Sequence, residues 1–281
     1  MRLSHIRLLT FLAASFACAF AGAGEACNLR PGEALLPREI VDGQSLILAD
    51  GREAVLAGVE VPPPGEGRGQ YAQEAQGLLA DLLRDGARIA YDKTREDRYG
   101  RLQVFPLLGD GQTAQARLVA AGLARVMSTP DNRTCIGELL VLEAEARAAR
   151  RGLWSDPFFA VVDAGDLAGL HRAEGRFVIV EGVVADAASV RGRLYVNFGA
   201  DRRRDFTVTV APAAAKLFKA GVWPSILGHP TTLVGRVTRV RGFLESFNGP
   251  EITVTHPEQI EFPEHGKEAA NSGGRTRRSS D

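Results

Sequence analysis

Tryptophan and methionine are scarce in this sequence, at 2 residues each in a chain of 281, and cysteine at 3 and histidine at 5 are scarcely commoner. Cys27 and Cys135 stand alone with no histidine near either in sequence and so make no closed zinc site, and His171, His229, His256 and His265 lack ligand spacing and read as surface or turn residues. Net charge is missing as well: 34 Lys and Arg balance 34 Asp and Glu, so no overall field recruits a phosphate backbone, and a nucleic-acid partner needs a local patch. There is no repeat at a fixed period and, past the N-terminus, no apolar run of membrane-spanning length. The chain is rich in 31 glycines and 14 prolines, with 45% hydrophobic residues. That composition describes a turn-rich globular protein with a core and argues against one helical bundle; the length suits two domains, or one with appendages.

The N-terminus reads as a secretory signal peptide. Arg2 and Arg7 precede an apolar run from Leu8 to Phe20, and Ala21-Gly22-Ala23 supplies small residues for cleavage near Ala23. Phe16 and Ala17 before Cys18 make a poor lipobox, so an exported periplasmic or secreted protein with no membrane span in the mature chain is expected. Cleavage leaves 32 basic against 34 acidic side chains, since two arginines leave with the leader. It also leaves Cys27 and Cys135, an even pair in an oxidising compartment, for which a disulfide is expected.

Periodicity then divides the mature chain. Ile40-Val41, Leu46 to Leu48 and Ala54 to Val59 alternate around turns at Asp42-Gly43 and Asp50-Gly51, predicting a β-meander. Gln70 to Leu83 has helical spacing, Arg88 to Tyr91 and Leu102 to Phe105 read as strands, and Thr113 to Val126 and Cys135 to Arg150 read as helices. After Asp156 the order restarts, with strands at Phe177 to Val184, Leu194 to Phe198 and Phe206 to Val210, a helix at Ala213 to Ala220, and strands at Thr231 to Val240 and Glu251 to Thr255. The expected fold is mainly β with helices (α+β): tandem OB-fold-like five-stranded barrels, the first with helical caps. The expected boundaries are a signal peptide over 1–23, an N-terminal segment over 24–35, a first domain over 36–155, a linker over 156–165, a second domain over 166–262 that folds alone, and a disordered tail over 263–281.

Five segments carry a resemblance: Ile40-Val41-Asp42-Gly43-Gln44-Ser45-Leu46, Val55 to Pro62, Asp97-Arg98-Tyr99-Gly100-Arg101, Gly122 to Val126, and Ala144 to Arg147 followed by Gly152-Leu153-Trp154. In this order they resemble the staphylococcal nuclease-like (thermonuclease) family over Leu36 to Trp154. The resemblance implies hydrolysis of DNA and RNA phosphodiesters with bound Ca2+, two phosphate-holding arginines and a glutamate near the attacking water. Residue by residue the site matches poorly. Gln44 stands at a metal carboxylate, Val55 at the first phosphate arginine, Pro63 at the water-associated glutamate and Glu60 at a metal aspartate, while Arg101 alone stands at its expected arginine position. Asp42 and Glu60 are candidate ligands of a weak cation site, although Asp42-Gly43 also reads as a plain turn. Glu66, in the glycine-rich loop, is a candidate substitute carboxylate. Arg52 lies three residues before Val55, an odd shift that sends it to the opposite strand face. The bland reading pairs Arg101 with Glu60, and treats Glu145 and Arg147 as scaffold and solvated surface.

The second domain resembles one that follows nuclease-like domains in some exported proteobacterial proteins. Its candidate nucleic-acid contacts are Tyr195, Phe198 and Phe206, with Arg239 and Arg241 among the charges alongside Arg202, Arg203, Arg204 and Arg236. Their alternative is a small-barrel core with solubilising arginines. Three functions compete: a noncatalytic or weakened homologue binding single-stranded nucleic acid, a glycan or an envelope protein; an active Ca2+-dependent nuclease with a rearranged site; and a structural envelope module. The first needs no cofactor, and the losses at Gln44, Val55 and Pro63 favour it over the second.

Overall fold

The computed structural model describes residues 27–63 and 69–263. The expected leader, Glu66 and residues 264–281 of the expected tail lie outside the described residues. In chain order the first unit comprises β1 (Pro31–Leu35), β2 (Pro37–Ile40), β3 (Ser45–Leu48), β4 (Glu53–Leu56), β5 (Val59–Glu60), α1 (Gly69–Leu83), β6 (Ala87–Ala90), β7 (Leu102–Leu107), α2 (Ala114–Ala120), β8 (Arg125–Val126) and α3 (Ile136–Ala148).

Its main sheet has the order β1-β6-β7-β4-β3-β2, antiparallel except for the parallel β4–β7 pair. The two outer strands are consecutive pieces of chain separated by Leu36, so the sheet begins and ends in one interrupted stretch. Pro31 and Pro37 open these pieces, at strand starts where a missing N–H is tolerated. Helix α1 buries Ala75, Leu79 and Leu83, one stripe at i, i+4 and i+8, in the same core as Leu46, Val104, Leu118 and Leu139. Cys27 and Cys135, 108 positions apart in sequence, are joined by a disulfide with Cα atoms 4.9 Å apart. It fastens the chain before β1 to the N-terminal end of α3.

One expected element is split. Thr113 to Val126 is helical only to Ala120, because Gly122 turns the chain at φ 73° and an added Cβ would lie 2.2 Å from the Arg151 carbonyl oxygen. The released segment becomes β8, which pairs with β5. Such a turn favours glycine and ends the helix despite the apolar residues beyond it.

The second unit comprises β9 (Val162–Asp163), α4 (Leu167–Arg172), β10 (Phe177–Val183), β11 (Asp186–Val190), β12 (Arg193–Asn197), β13 (Thr207–Val210), α5 (Pro212–Ala215), α6 (Trp223–Gly228), β14 (Val237–Phe243), β15 (Glu245–Ser246), β16 (Pro250–Val254) and β17 (Ile260–Glu261). Two sheets run β17-β14-β10-β9 and β11-β12-β13-β16-β15. A parallel pair, β13 with β16, again stands inside a mostly antiparallel arrangement. The architecture is α+β throughout, with mixed sheets and several helices. The expected helix over Ala213 to Ala220 is present only as α5, ending at Ala215, and Gly221 at φ 63° turns the chain before α6. The expected strand from Thr231 starts only at Val237, because Pro230 opens a 3-10 turn and Gly235 takes φ 80°.

The two units are packed together. Residues 156–165, read from sequence as a linker, hold a 3-10 turn at Pro157–Phe159 and strand β9 alongside β10, with Phe159 in the first core. Ile179 of β10 joins that core too. Among the described residues no helix is long and apolar enough to cross a membrane.

Candidate functional site

The Asp42 turn precedes β3. Asp42 Oδ1 accepts the backbone N–H groups of Gln44 at 2.8 Å and Ser45 at 2.7 Å. Gly43 has no room for a side chain: a Cβ would lie 2.6 Å from the Ala75 Cβ of α1 and 2.7 Å from Val61 Cγ1. The turn is thereby pressed against α1. Gln44 directs its Oε1 to the Val61 backbone N–H at 2.8 Å, so this amide ties the chain beyond β5 back to the turn. Val55 is buried in β4, opposite Ser45 on one side and Gln103 on the other. Pro63 is exposed at the last described position before Glu66.

Glu60 and Arg101 are not partners, contrary to the bland reading from sequence. Glu60 Oε2 accepts from Arg125 Nε at 2.9 Å. Arg125 donates its Nη1 to the Phe177 carbonyl at 3.0 Å, and its guanidinium lies over the Phe159 and Phe177 rings at 5.4 and 5.1 Å. Glu60 is therefore committed to the junction between the units. Arg101 instead pairs with Asp97: Nε and Nη2 each lie 2.8 Å from Oδ2. Burial alone would raise the Asp97 pKa, but the backbone N–H groups of Arg101 and Tyr99 and the Arg101 guanidinium outweigh it and hold the carboxyl below the usual range. Tyr99 is 69% exposed, with the Arg98 and Arg101 guanidiniums 4.9 and 5.6 Å from its ring centroid. This cation–π stack lies on the surface of the loop, and its residues all come from the Asp97 to Arg101 motif. Arg52 is taken up by Glu33 at 2.9 Å and Asp50 at 2.6 Å.

A hard divalent cation needs six to eight oxygen ligands, with carboxylates among them. Asp42 spends one oxygen on two backbone donors, Gln44 is neutral and already bonded, and Glu60 is ion-paired. Among the described residues no group of three or more His, Cys, Asp or Glu is placed to hold a metal. Among the described residues, Asp42, Gln44 and Glu60 do not by themselves assemble the oxygen ligands that calcium needs.

In the second unit the expected contacts divide between core and surface. Phe206 is fully buried in the core, and the half-buried Phe198 packs on it with ring centroids 5.1 Å apart. Tyr195 and Phe198 are three residues apart, an odd step that sends them to opposite sheet faces. Tyr195 lines an open groove of about 610 Å³ with Arg193, Asn197, Thr209, Phe247 and Glu251. Arg239 and Arg241 are buried, which corrects their assignment as surface cations. Arg239 Nη2 lies 2.6 Å from Glu181 Oε2.

Arg241, only 1% exposed, donates from Nη1 to Glu143 Oε1 at 3.0 Å and from Nη2 to Glu143 Oε2 at 2.7 Å and Glu261 Oε1 at 2.6 Å. Glu143 is wholly buried in α3 and also accepts the Val126 N–H at 2.7 Å. Burial alone would raise its pKa, but the charge and hydrogen bonds of Arg241 outweigh this and leave it lowered. Sequence reasoning missed Glu143, although a signal existed: it falls on the buried stripe Ile136, Leu139, Glu143 and Ala146 of α3. His256, expected at the surface or in a turn, is 1% exposed and bridges the units through Nε2 to Ser128 Oγ at 2.6 Å. Nearby, Arg133 donates two hydrogen bonds of 2.7 Å to Glu258.

Comparison with known proteins agrees with this layout. Residues 54–156 match the family described as staphylococcal nuclease homologue. A protein named as an uncharacterized endonuclease from Escherichia coli O157:H7 is 30% identical over 120 residues, covering 42% of this chain and 74% of that protein. Thermonucleases of Staphylococcus intermedius and Staphylococcus hyicus are 29% and 27% identical over 129 and 124 residues, covering 43% and 42% of this chain and 75% and 73% of theirs. The family match ends where the second unit begins.

Proposed function

The chain belongs to the staphylococcal nuclease family, and from that premise we propose that it is an exported, noncatalytic or severely weakened nuclease homologue that binds nucleic acid. One observation carries the reading: each charge kept at a family site position among the described residues already has a structural partner. Arg101 is held by Asp97, Glu60 by Arg125, and Asp42 by two backbone N–H groups. Transition-state stabilisation requires donors preorganised toward the reacting phosphate and a cation in the site. Here Val55 is a buried hydrocarbon, and Gln44 serves the Val61 backbone.

Binding asks for less. The exposed Tyr99 ring, with the Arg98 guanidinium beside it, offers a stacking face near positive charge, which suits an unpaired base and its phosphate without any attacking group. Export is supported by the leader-like N-terminus and by a disulfide that persists in an oxidising compartment.

The test is incubation of the purified protein with single-stranded DNA and RNA, with calcium and with chelator. Binding without cleavage above buffer is expected. Loss of even one preorganised donor typically costs about 100- to 1,000-fold in rate. The combined change Gln44→Asp, Val55→Arg and Pro63→Glu should restore measurable calcium-dependent cleavage, with melting curves recorded to verify that it folds. A wild-type rate near that of an intact thermonuclease sinks the reading, and its loss in Glu66→Ala would locate the carboxylate responsible.

A further inference from the structure

The groove of the second unit lies on the face of the five-stranded sheet opposite its core. Strand alternation builds it: Leu194, Val196, Val208, Val210, Ile252 and Val254 point into the core, while Arg193, Tyr195, Asn197, Thr207, Thr209 and Glu251 line the groove. Its volume of about 610 Å³ lies within the usual range for ligand sites.

The polar floor is organised. Thr207 donates to Asn197 Oδ1 at 3.2 Å, and Thr209 donates to Glu251 Oε1 at 2.7 Å. These bonds orient the Glu251 carboxylate and leave its Oε2 open. Arg202 is paired with Asp186 at 2.7 Å, whereas Arg193 has no ion-pair partner among the described residues. On the rim, Phe247 is 73% exposed, yet it is held in a tight hairpin by its N–H to the Gly249 carbonyl at 2.9 Å, between the paired β15 and β16. A phenyl ring kept in water on an ordered turn, lining the same groove as Tyr195, is a stacking surface that no other described residue covers.

We infer that this groove binds single-stranded nucleic acid, with a base stacked against Tyr195 and Phe247, its amino edge hydrogen-bonded to Glu251, and its phosphate neutralised by Arg193. The unpaired guanidinium distinguishes this ligand from a neutral glycan, which stacks on aromatic rings but offers no anion. The open carboxylate distinguishes it from a ligand that is merely anionic, because an exocyclic amine of cytosine, adenine or guanine is the donor that such an acceptor recognises. The site shares only its ligand class with the preceding reading; it is separate from the Tyr99 loop of the first unit.

Anisotropy titrations of the protein with fluorescein-labelled oligo-dC and oligo-dT test it. Oligo-dC should bind more tightly, because thymine lacks an exocyclic amine, and Glu251→Ala should erase the difference. Tyr195→Ala and Phe247→Ala should each weaken binding about 5- to 140-fold, the range for one stacked base. Arg193→Ala should make the salt dependence shallower by about 0.7 in the slope of log K against log salt. All four side chains lie outside the core, and unchanged melting curves will verify folding. Wild-type affinity in the Tyr195, Phe247 and Arg193 variants, with loss in Tyr99→Ala, overturns the groove and leaves the preceding reading standing. Absence of binding in the wild type overturns both. Cleavage of the oligonucleotides overturns only the noncatalytic reading. Tyr195-dependent binding of an N-acetylhexosamine oligosaccharide, with no oligonucleotide binding, would make the groove a glycan site.

Discussion

Replacing Arg241 by Met gives the sharpest test of how the two units are joined. The change removes both guanidinium bonds to Glu143, the bond to Glu261 and the 3.0 Å bond to the Val126 carbonyl, leaving Glu143 with the Val126 N–H and a 3.5 Å contact to Arg147. A buried carboxylate stripped of its main counter-charge destabilises by about 3–5 kcal/mol. For a folded chain of this size each kcal/mol shifts Tm by about 2–4 °C, so a fall of about 6–20 °C is expected. Adding Glu143→Gln removes the stranded charge and keeps an acceptor for Val126, so the double variant should be more stable than Arg241→Met alone. The deficit of the single variant should also shrink as pH falls. Without Arg241 the Glu143 pKa rises above its unfolded value, so the folded state binds the extra proton and gains stability toward acid. Circular dichroism melts at neutral and mildly acidic pH read all of this, and a transition split in two would mean that the units have uncoupled. If Arg241→Met melts within about 2 °C of wild type and loses oligonucleotide affinity instead, Arg241 is a surface ligand and the buried pair is wrong.

The disulfide closes a loop of 108 residues, so the Cys27→Ser, Cys135→Ser double variant should lose about 4–5 kcal/mol in the chain-entropy model. Two free thiols in the unfolded, unreduced chain from Gly24 onward would show that the bond does not form. For His256, burial and the Arg133 charge outweigh the Glu258 carboxylate and lower its pKa from 6.5 to about 4. The unfolded chain therefore takes up this proton first, and stability should fall by up to about 3 kcal/mol as pH drops from about 6.5 to about 4, then level off. Urea titrations across that window should show a smaller fall in His256→Gln, and an equal or larger one would mean that His256 is not responsible.

Much of the first unit was legible because its signals are local. The stripe of α1, the Asp42-Gly43 turn and the Asp97 to Arg101 connection each depend on neighbours a few residues away, and the order of the motifs sufficed to name the family. That Gln44, Val55 and Pro63 bring no charge to their positions was legible for the same reason, since a neutral or apolar side chain supplies none in any fold. Strand parity likewise separates Tyr195 from Phe198, whose positions differ by an odd number. What only the tertiary structure decided is which charges are spent. Nothing near Arg241 in sequence distinguishes it from a solvated arginine, because its burial depends on α3 presenting Glu143 98 residues away. Likewise Arg101 turned to Asp97 and Glu60 to Arg125, and Phe247 became one wall of a groove with Tyr195. Periodicity specifies the face a side chain takes, whereas its environment is set by the element packed on that face, and that packing is a property of the whole chain.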